Sequence, residues 1–146
     1  MDDGVAFAGT FDGNGCTIYN CYFGGSAPAL FPWIGVGATV KNFALKSVRS
    51  WQWNRMDSLS APSGFIYGGM DNGAADNVNN TQYETRRQNT FINIYNCMVS
   101  DCYADSWGIS RHLVGGWLRF VNMRISDCIF KDNILAVSDS PDTQST

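Results

Sequence analysis

The sequence is organised around the stretch Ile94-Tyr95-Asn96-Cys97-Met98-Val99, in which apolar residues alternate with other residues on both sides of one asparagine. The same order of residue types, apolar–x–Asn–apolar–x–apolar, recurs three more times, at residues 18–23, 40–45 and 120–125. Positions two residues before each copy are apolar as well. Such self-similarity along a chain predicts a repeated structural unit.

The alternation of apolar residues indicates β-strands that bury one face. At the asparagine the alternation shifts its phase by one residue, so a straight strand would turn the following residues to the wrong face. The chain must therefore bend there, and asparagine suits a corner because it tolerates the left-handed backbone region. Stacked corners place side-chain amides within hydrogen-bonding reach of one another. We therefore expect one ladder, formed by Asn20, Asn42, Asn96 and Asn122.

The separations between these asparagines give the size of the repeat. They are 22, 54 and 26 residues, and the long interval corresponds to two ordinary ones. A period in this range is typical of a solenoid, in which each coil packs only on its neighbours. Because parallel connections between strands are almost always right-handed, the pattern predicts an all-β fold, a right-handed parallel β-helix of about five coils.

Residues 7–18, Phe-Ala-Gly-Thr-Phe-Asp-Gly-Asn-Gly-Cys-Thr-Ile, resemble the entry phrase of bacterial β-helix proteins with GLUG-type repeats. Residues 30–35, 64–69 and 112–117 are similar to the glycine-rich, apolar half-repeat of that family. The resemblance implies a right-handed parallel β-helix from a large surface-exposed protein. It therefore implies a secreted or cell-surface location and an adhesin-like display role, by analogy of fold.

The length of 146 residues suits one domain. We expect a β-helix domain over residues 1–137, with a loop insertion at about 71–90 that is rich in Asn, Asp, Gly, Thr and Arg. Residues 138–146 are typical of a polar tail. The chain begins without a signal peptide's basic and apolar regions. Since both ends of a β-helix expose strand edges, we expect contacts through the coil ends with a partner copy, or with flanking segments of a longer protein.

Charge and composition exclude several classes of function. The net charge of −3 and the pI near 4.8 argue against binding to nucleic acid. No apolar run is long enough for membrane insertion. The five cysteines include no Cys-x-x-Cys pair and His112 is the single histidine, so neither a metal site nor a cofactor is expected. We expect buried free thiols, with Cys102 and Cys128 as stacked neighbours whose bridging stays open.

Two aspartates recur in the same context, Ser100-Asp101-Cys102 and Ser126-Asp127-Cys128. If both stand at the same offset from a stacked asparagine, their carboxylates lie within roughly 5 Å of each other. Such a pair is able to share a proton, bind a cation or act as acid and base on a glycosidic bond. The alternative is that both side chains leave a turn and point into water. Asp101 and Asp127 thus define an enzyme hypothesis, a polysaccharide hydrolase or lyase.

Aromatic side chains offer a binding surface instead. Trp51 and Trp53 share one face of an extended segment, and further aromatic residues occupy outward positions at Tyr19, Tyr22 and Tyr95. Aromatic rings combine apolar area with polar handles and suit sugar rings or protein partners. The alternative is that the tryptophans fold over the core and cap it. Long loops on a rigid scaffold often carry recognition. The predicted ligand-binding residues are Trp51, Trp53, Tyr83, Arg86 and Arg87.

These features favour a non-enzymatic β-solenoid module that recognises a glycan or protein ligand at a surface or in a fibre. The first alternative is the carbohydrate-active enzyme that would use the two aspartates. The second is a structural spacer whose copies associate end to end.

Overall fold

The computed structural model describes residues 6–25, 29–52, 64–71, 91–106, 113–115 and 122–137. These residues form β-strands and no helix, which confirms the expected all-β class. The strands are β1 (Thr10–Tyr19), β2 (Tyr22–Gly25), β3 (Phe31–Gly35), β4 (Thr39–Lys46), β5 (Arg49–Gln52), β6 (Tyr67–Asp71), β7 (Phe91–Ser100), β8 (Tyr103–Ser106), β9 (Asn122–Ser126), β10 (Ile129–Lys131) and β11 (Ile134–Val137).

All pairings among these strands are parallel, and they build three sheets. The first sheet has the order β1-β4-β7, and the free edge of β7 pairs with β9 and then with β10. The second sheet has the order β2-β5-β8-β11. The third sheet pairs β3 with β6, and single parallel bridges extend it from Ile34 to Phe7 and from Tyr67 to Gly115. The chain therefore returns to the three sheets in a constant order.

Two columns of residues in the left-handed backbone region mark where the chain turns. The members of both columns have φ between 50 and 57°. The first corner interrupts the first sheet and contains Asn14, Asn42, Asn96 and Asp127. The second corner joins the first sheet to the second and contains Asn20, Ser47, Asp101 and Asp132. Asparagine, aspartate and serine suit these positions because their short polar side chains form local hydrogen bonds.

This register corrects the expected ladder of four asparagines. Asn42 and Asn96 do share the first corner, and Asn96 Nδ2 donates a hydrogen bond to Asn42 Oδ1 at 2.8 Å. Asn20 lies in the second corner instead, where its N–H donates to Lys46 O at 3.1 Å. Asn122 begins β9 and pairs with Phe91, ahead of the corner. The expectation was wrong for Asn20 and Asn122 because both corners shift the apolar alternation by one residue, so an asparagine alone does not identify which corner it occupies.

The core draws side chains from all three sheets. Leu45 and Val99 of the first sheet, together with Ile34 and Tyr67 of the third, are fully buried, and Ala104 of the second packs against them. A fully buried aliphatic side chain contributes about 1.5–3 kcal/mol relative to its exposed form. The central strands β4 and β7 supply half of the buried core residues that the structure describes, because a neighbouring strand covers each of them on both edges.

The expected loop at 71–90 starts from Asp71, the last residue of β6, and its remaining residues lie outside the described ranges. The expected tail at 138–146 also lies outside them. Within the parts of the chain that the structure describes, no helix has the length and apolar character needed to cross a membrane.

Candidate functional site

The outward side of the second sheet carries an exposed group of aromatic residues. On β5, Ser50 is buried while Arg49 and Trp51 on either side of it are exposed, so these two side chains point away from the core. Tyr22 on β2 and Tyr103 on β8 are exposed as well. We call these four residues, Tyr22, Arg49, Trp51 and Tyr103, the aromatic face.

The strand register brings the four side chains together. Arg49 pairs with Tyr22 on one side and with Tyr103 on the other, so the guanidinium-bearing residue stands between two tyrosines. Neighbouring strands are about 4.8 Å apart, and alternate residues along a strand are about 6.6 Å apart. Trp51 follows Arg49 at that second spacing and pairs with Gly24. The aromatic face therefore spans three adjacent strands.

Gly24 makes room for one of the rings. A Cβ added there would lie 2.8 Å from Cε1 of Tyr22, so the tyrosine ring lies across the glycine. Because Gly24 is the register partner of Trp51, this position brings the Tyr22 ring toward the tryptophan. A larger residue at position 24 would displace the ring.

The rings of Tyr22, Trp51 and Tyr103 are exposed to solvent and are not part of the core. Tyr22 is 61%, Tyr103 38% and Trp51 36% exposed. Trp51 therefore does not cover the core, although such packing was one of the alternatives that the sequence left open. Large aromatic side chains that stay in contact with water are the ones available to a partner.

The structure places only one of the five predicted ligand-binding residues. Trp51 lies on the aromatic face, whereas Trp53, Tyr83, Arg86 and Arg87 lie outside the described residues. Tyr22 occupies one of the outward positions that the sequence predicts, whereas Arg49 and Tyr103 are not among the predicted residues. A signal for both was present, since each stands two positions after a residue of the second corner.

The two aspartates of the enzyme hypothesis do not stack. Asp127 belongs to the first corner and follows Asn96 in that column, whereas Asp101 belongs to the second corner. The strand register instead puts Asp101 beside Asp132. Lys46 Nζ lies 4.0 Å from Asp101 Oδ2 and partly balances its charge. The stacked pair that the enzyme alternative requires is therefore absent, because the shared Ser-Asp-Cys tripeptide occurs at two different corners.

Polar side chains are linked along the first corner, from Asp12 on β1 through Asn42 on β4 to Asn96 on β7. Asp12 Oδ1 accepts hydrogen bonds from Asn42 Nδ2 and from the N–H of Asn14, both at 2.9 Å. Lys41 Nζ lies 3.2 Å from Asp12 Oδ2, and it also stands over the ring of Tyr95 at 5.7 Å from its centroid. The hydrogen bond from Asn42, then that from Asn14, and the charge of Lys41 lower the pKa of Asp12. The carboxylate of Asp12 is exposed, and its partners Asn14, Asn42 and Lys41 lie at or next to the first corner.

Among the described residues, the cysteines are not arranged as a metal site. All five are free thiols, and the register pairs Cys97 with Cys128 across the first corner, rather than Cys102 with Cys128 as expected. Burial, followed by the neighbouring Cys128, raises the pKa of Cys97 to about 12. Its Sγ donates to the carbonyl oxygen of Tyr95 at 3.2 Å. A thiol in this state is protonated and inert at neutral pH.

Among the residues that the structure describes, no group of three or more His, Cys, Asp or Glu side chains is arranged to hold a metal ion. His112 lies outside those residues. Comparison with protein-family models, with curated proteins and with solved structures finds no match to this chain.

Proposed function

We propose that this chain is a non-enzymatic β-solenoid module that binds a glycan through its aromatic face. The fold underlying the proposal is a right-handed parallel β-helix of about five coils, since the sheets recur in a constant order and parallel crossovers are almost always right-handed. Each return to the same sheet would complete one coil. The parallel pairings and the two columns of corners support this fold.

The observation that carries the proposed function is the placement of Tyr22, Trp51 and Tyr103 on three adjacent strands with their rings exposed. The hydrogen-bonded strands hold the Cα atoms of these residues at fixed separations, so the rings occupy one small region of the surface. A glycan presents flat apolar faces between its hydroxyl groups, and aromatic rings pack against those apolar faces. The tyrosine hydroxyls and the guanidinium of Arg49 can form hydrogen bonds with the glycan hydroxyl groups.

A protein ligand is the competing partner for the same surface. Tyrosine, tryptophan and arginine are also enriched at protein–protein interfaces. The glycan is favoured because the aromatic face is small and consists of four side chains on three adjacent strands. A stable protein interface needs roughly 800 Å² from each partner, which four side chains do not provide.

The proposed location is a secreted or cell-surface one, in which the solenoid displays the aromatic face to solvent. It rests on the resemblance to GLUG-type repeat proteins. The exposed aromatic rings are consistent with it, since an exposed row of this kind is best explained by a partner.

The experiment is a glycan array followed by calorimetric titration of the best ligand. Trp51→Ala and Tyr103→Ala should each weaken binding by roughly 30-fold, equivalent to about 2 kcal/mol for an aromatic side chain that anchors a ligand. Tyr19→Ala is the control, because Tyr19 is also an exposed aromatic residue but belongs to the first sheet. It should leave the affinity unchanged.

Several outcomes would overturn the proposal. Binding that survives in both variants, or that is lost equally in the Tyr19→Ala control, would remove the aromatic face from recognition. Absence of any glycan ligand together with capture of a defined protein would assign the surface to a protein partner. Release of shortened or unsaturated sugars from a bound polysaccharide would make the chain an enzyme.

A further inference from the structure

The aromatic face belongs to a longer row of exposed side chains that crosses the second sheet. Arg49 on β5 is the register partner of Tyr22 on β2 and of Tyr103 on β8. Tyr103 is in turn the partner of Ile134 on β11, whose side chain is 59% exposed. Register partners on parallel strands point to the same side of their sheet. We call Tyr22, Arg49, Tyr103 and Ile134 together the transverse row.

The transverse row fixes the direction in which a ligand would lie. Its members stand on four neighbouring strands, and the register partners follow one another without a shift. Because neighbouring strands are about 4.8 Å apart, the row extends roughly 14 Å across the sheet. A ligand that contacts all four side chains must therefore be elongated, and it must cross the strands rather than follow one of them.

The exposed tyrosine of the first sheet does not begin a comparable row. Tyr19 pairs with Lys46, and Lys46 pairs with Ser100 on the next strand. Ser100 is only 1% exposed, so the surface is interrupted at that strand. Lys46 Nζ also lies 4.0 Å from Asp101 Oδ2. The second sheet therefore differs from the first in presenting an exposed side chain on each of its four strands.

Arg49 is the one charged member of the transverse row, and it stands between the two tyrosines. The ion pairs that join described residues engage Lys41 and Lys46 instead. A guanidinium donates two parallel hydrogen bonds to a carboxylate, and such charge-assisted bonds are about twice as strong as neutral ones. The row thus offers an aromatic, a cationic and a second aromatic position at equal spacing.

The register row next to the transverse row contains an acidic residue. There Trp51 pairs with Gly24 on one side and with Asp105 on the other. Asp105 follows Tyr103 by two positions, so it belongs to the tryptophan side of the aromatic face. An acidic group of a ligand is therefore favoured at Arg49 and disfavoured next to Trp51.

This alternation of positions matches one kind of linear glycan. A sugar unit in an extended chain is close in length to the spacing of neighbouring strands, so consecutive units would meet consecutive members of the row. The tyrosine rings suit the apolar faces of neutral units. The guanidinium between them suits a unit that bears a carboxylate. A chain in which uronate units alternate with neutral units satisfies both requirements.

We propose that the transverse row binds a linear acidic glycan of alternating uronate and neutral units, which lies across the strands of the second sheet. The inference rests on the proposed glycan-binding function and names the class of glycan. Neutral units stack on Tyr22 and Tyr103, and the carboxylate of the uronate between them bonds to Arg49. Ile134 packs against the unit that follows.

The test is calorimetric titration of the full chain with two tetrasaccharides. One is that of hyaluronan, in which glucuronate alternates with N-acetylglucosamine, and the other is the neutral tetrasaccharide of N-acetylglucosamine. The acidic ligand should bind more tightly by roughly tenfold or more at low ionic strength, because only it forms the charge-assisted contact with Arg49. This preference should shrink as added salt screens the charges.

Arg49→Gln should abolish the preference and leave the affinity for the neutral tetrasaccharide within about twofold. Arg49→Lys keeps the charge but not the planar fork, so it should retain part of the preference. Lys46→Gln is the matched control, because it removes the same charge from an exposed residue of the first sheet. It should leave the preference unchanged. Circular dichroism checks that each variant is folded.

Ile134→Ser tests the direction of the bound chain. Loss of the apolar side chain should weaken binding of the acidic tetrasaccharide by roughly threefold or more. The acidic disaccharide should be unaffected, because it is too short to reach from Arg49 past Tyr103 to this position. Ile129→Ser is the control, since Ile129 is 56% exposed but lies on β10 of the first sheet.

The outcomes separate this inference from the proposed function. Equal affinity for the two tetrasaccharides, or a preference that survives Arg49→Gln or disappears in Lys46→Gln, would overturn the inference and leave glycan binding by the aromatic face in place. An Ile134→Ser variant that binds the acidic tetrasaccharide like the parent chain would overturn the placement across the strands. Absence of any glycan ligand would overturn the proposed function and this inference together.

Discussion

The first corner carries side-chain amides that hydrogen-bond from strand to strand, whereas the second corner carries one asparagine followed by a serine and two aspartates. Asn42 and Asn96 are linked to each other and to Asp12. The residues of the second corner adopt the same left-handed backbone, and the N–H groups of Asn20, Ser47 and Asp101 each donate to a carbonyl oxygen of the adjacent strand. The left-handed conformation is therefore the common requirement, and the side-chain ladder is an additional source of stability at one corner.

The ladder at the first corner also has a direction. Each amide donates toward β1, from Asn96 to Asn42 and from Asn42 to Asp12. The next residue in the column is Asp127, whose side chain carries no amide to donate to Asn96. The series of side-chain hydrogen bonds therefore ends at Asn96, and the free energy that the ladder contributes is concentrated in the first three strands of the sheet.

The largest effect is expected from breaking the ladder at its centre. Asn42→Ala removes two side-chain hydrogen bonds and places alanine in the left-handed region, so the free energy of unfolding should fall by about 2–4 kcal/mol. Asn42→Gly restores the backbone freedom but not the bonds, and it should recover about 1 kcal/mol. Chemical denaturation measures both.

Ser47→Ala is the comparison at the second corner. Because serine already bears most of the cost of the left-handed backbone, this change should lower the free energy of unfolding by about 1 kcal/mol or less. An equal loss at both corners would show that the ladder contributes nothing beyond the turn.

A smaller effect of the opposite sign is expected at Asp127. Asp127→Asn supplies the missing donor, so its amide should bond to Asn96 Oδ1 and raise the free energy of unfolding by about 0.5–1 kcal/mol. Asp127→Ser removes the same charge without an amide and serves as the control. Thermal unfolding of the two variants distinguishes the new hydrogen bond from the loss of charge. An equal gain in stability in both variants would show that the lost charge is the cause.

The smallest expected effect is on how the stability of the fold depends on acidic pH. The hydrogen bond from Asn42 lowers the pKa of Asp12 in the folded state below its ordinary value of 3.8. A lowered pKa stabilises the fold above the unfolded value, and this contribution is lost as the pH falls through the folded pKa. Stability should therefore decline below about pH 4, and the decline should be shallower in Asp12→Asn. Urea unfolding between about pH 2.5 and 6 measures the slope, and identical slopes would contradict the role of Asp12.

The sequence predicts the class of the fold because the apolar alternation is a direct consequence of one buried face. It predicts the equivalence of Asn42 and Asn96 for the same reason, since both lie between matching apolar positions. It fails at Asp127 because the corner tolerates aspartate as well as asparagine, and the alignment followed the residue type instead of the backbone. The interval of five residues between the corners, as in Asn42 and Ser47 or Asn96 and Asp101, would have given the register.

The candidate site was predicted less completely. Trp51 was identified by its residue type, but Tyr103 becomes its neighbour only through the pairing of β5 with β8. Contacts between residues that are far apart in sequence depend on the register, which a single sequence specifies weakly wherever several polar residues suit the same turn. The polar loop was proposed as a binding element from its composition alone, and Tyr83, Arg86 and Arg87 keep that status as a prediction.

The bulge in β1 decides which residue its first corner accepts. Between Asp12 and Cys16, three residues of β1 stand opposite Asn42 alone, and the N–H of Asn14 bonds to Asp12 Oδ1. The extra residues fit only because the chain lies directly on β4, where a Cβ at Gly13 would clash with Phe43 Cβ and would be 2.8 Å from Asn42 O. An alanine at position 13 would therefore push β1 away from β4 and open the first corner.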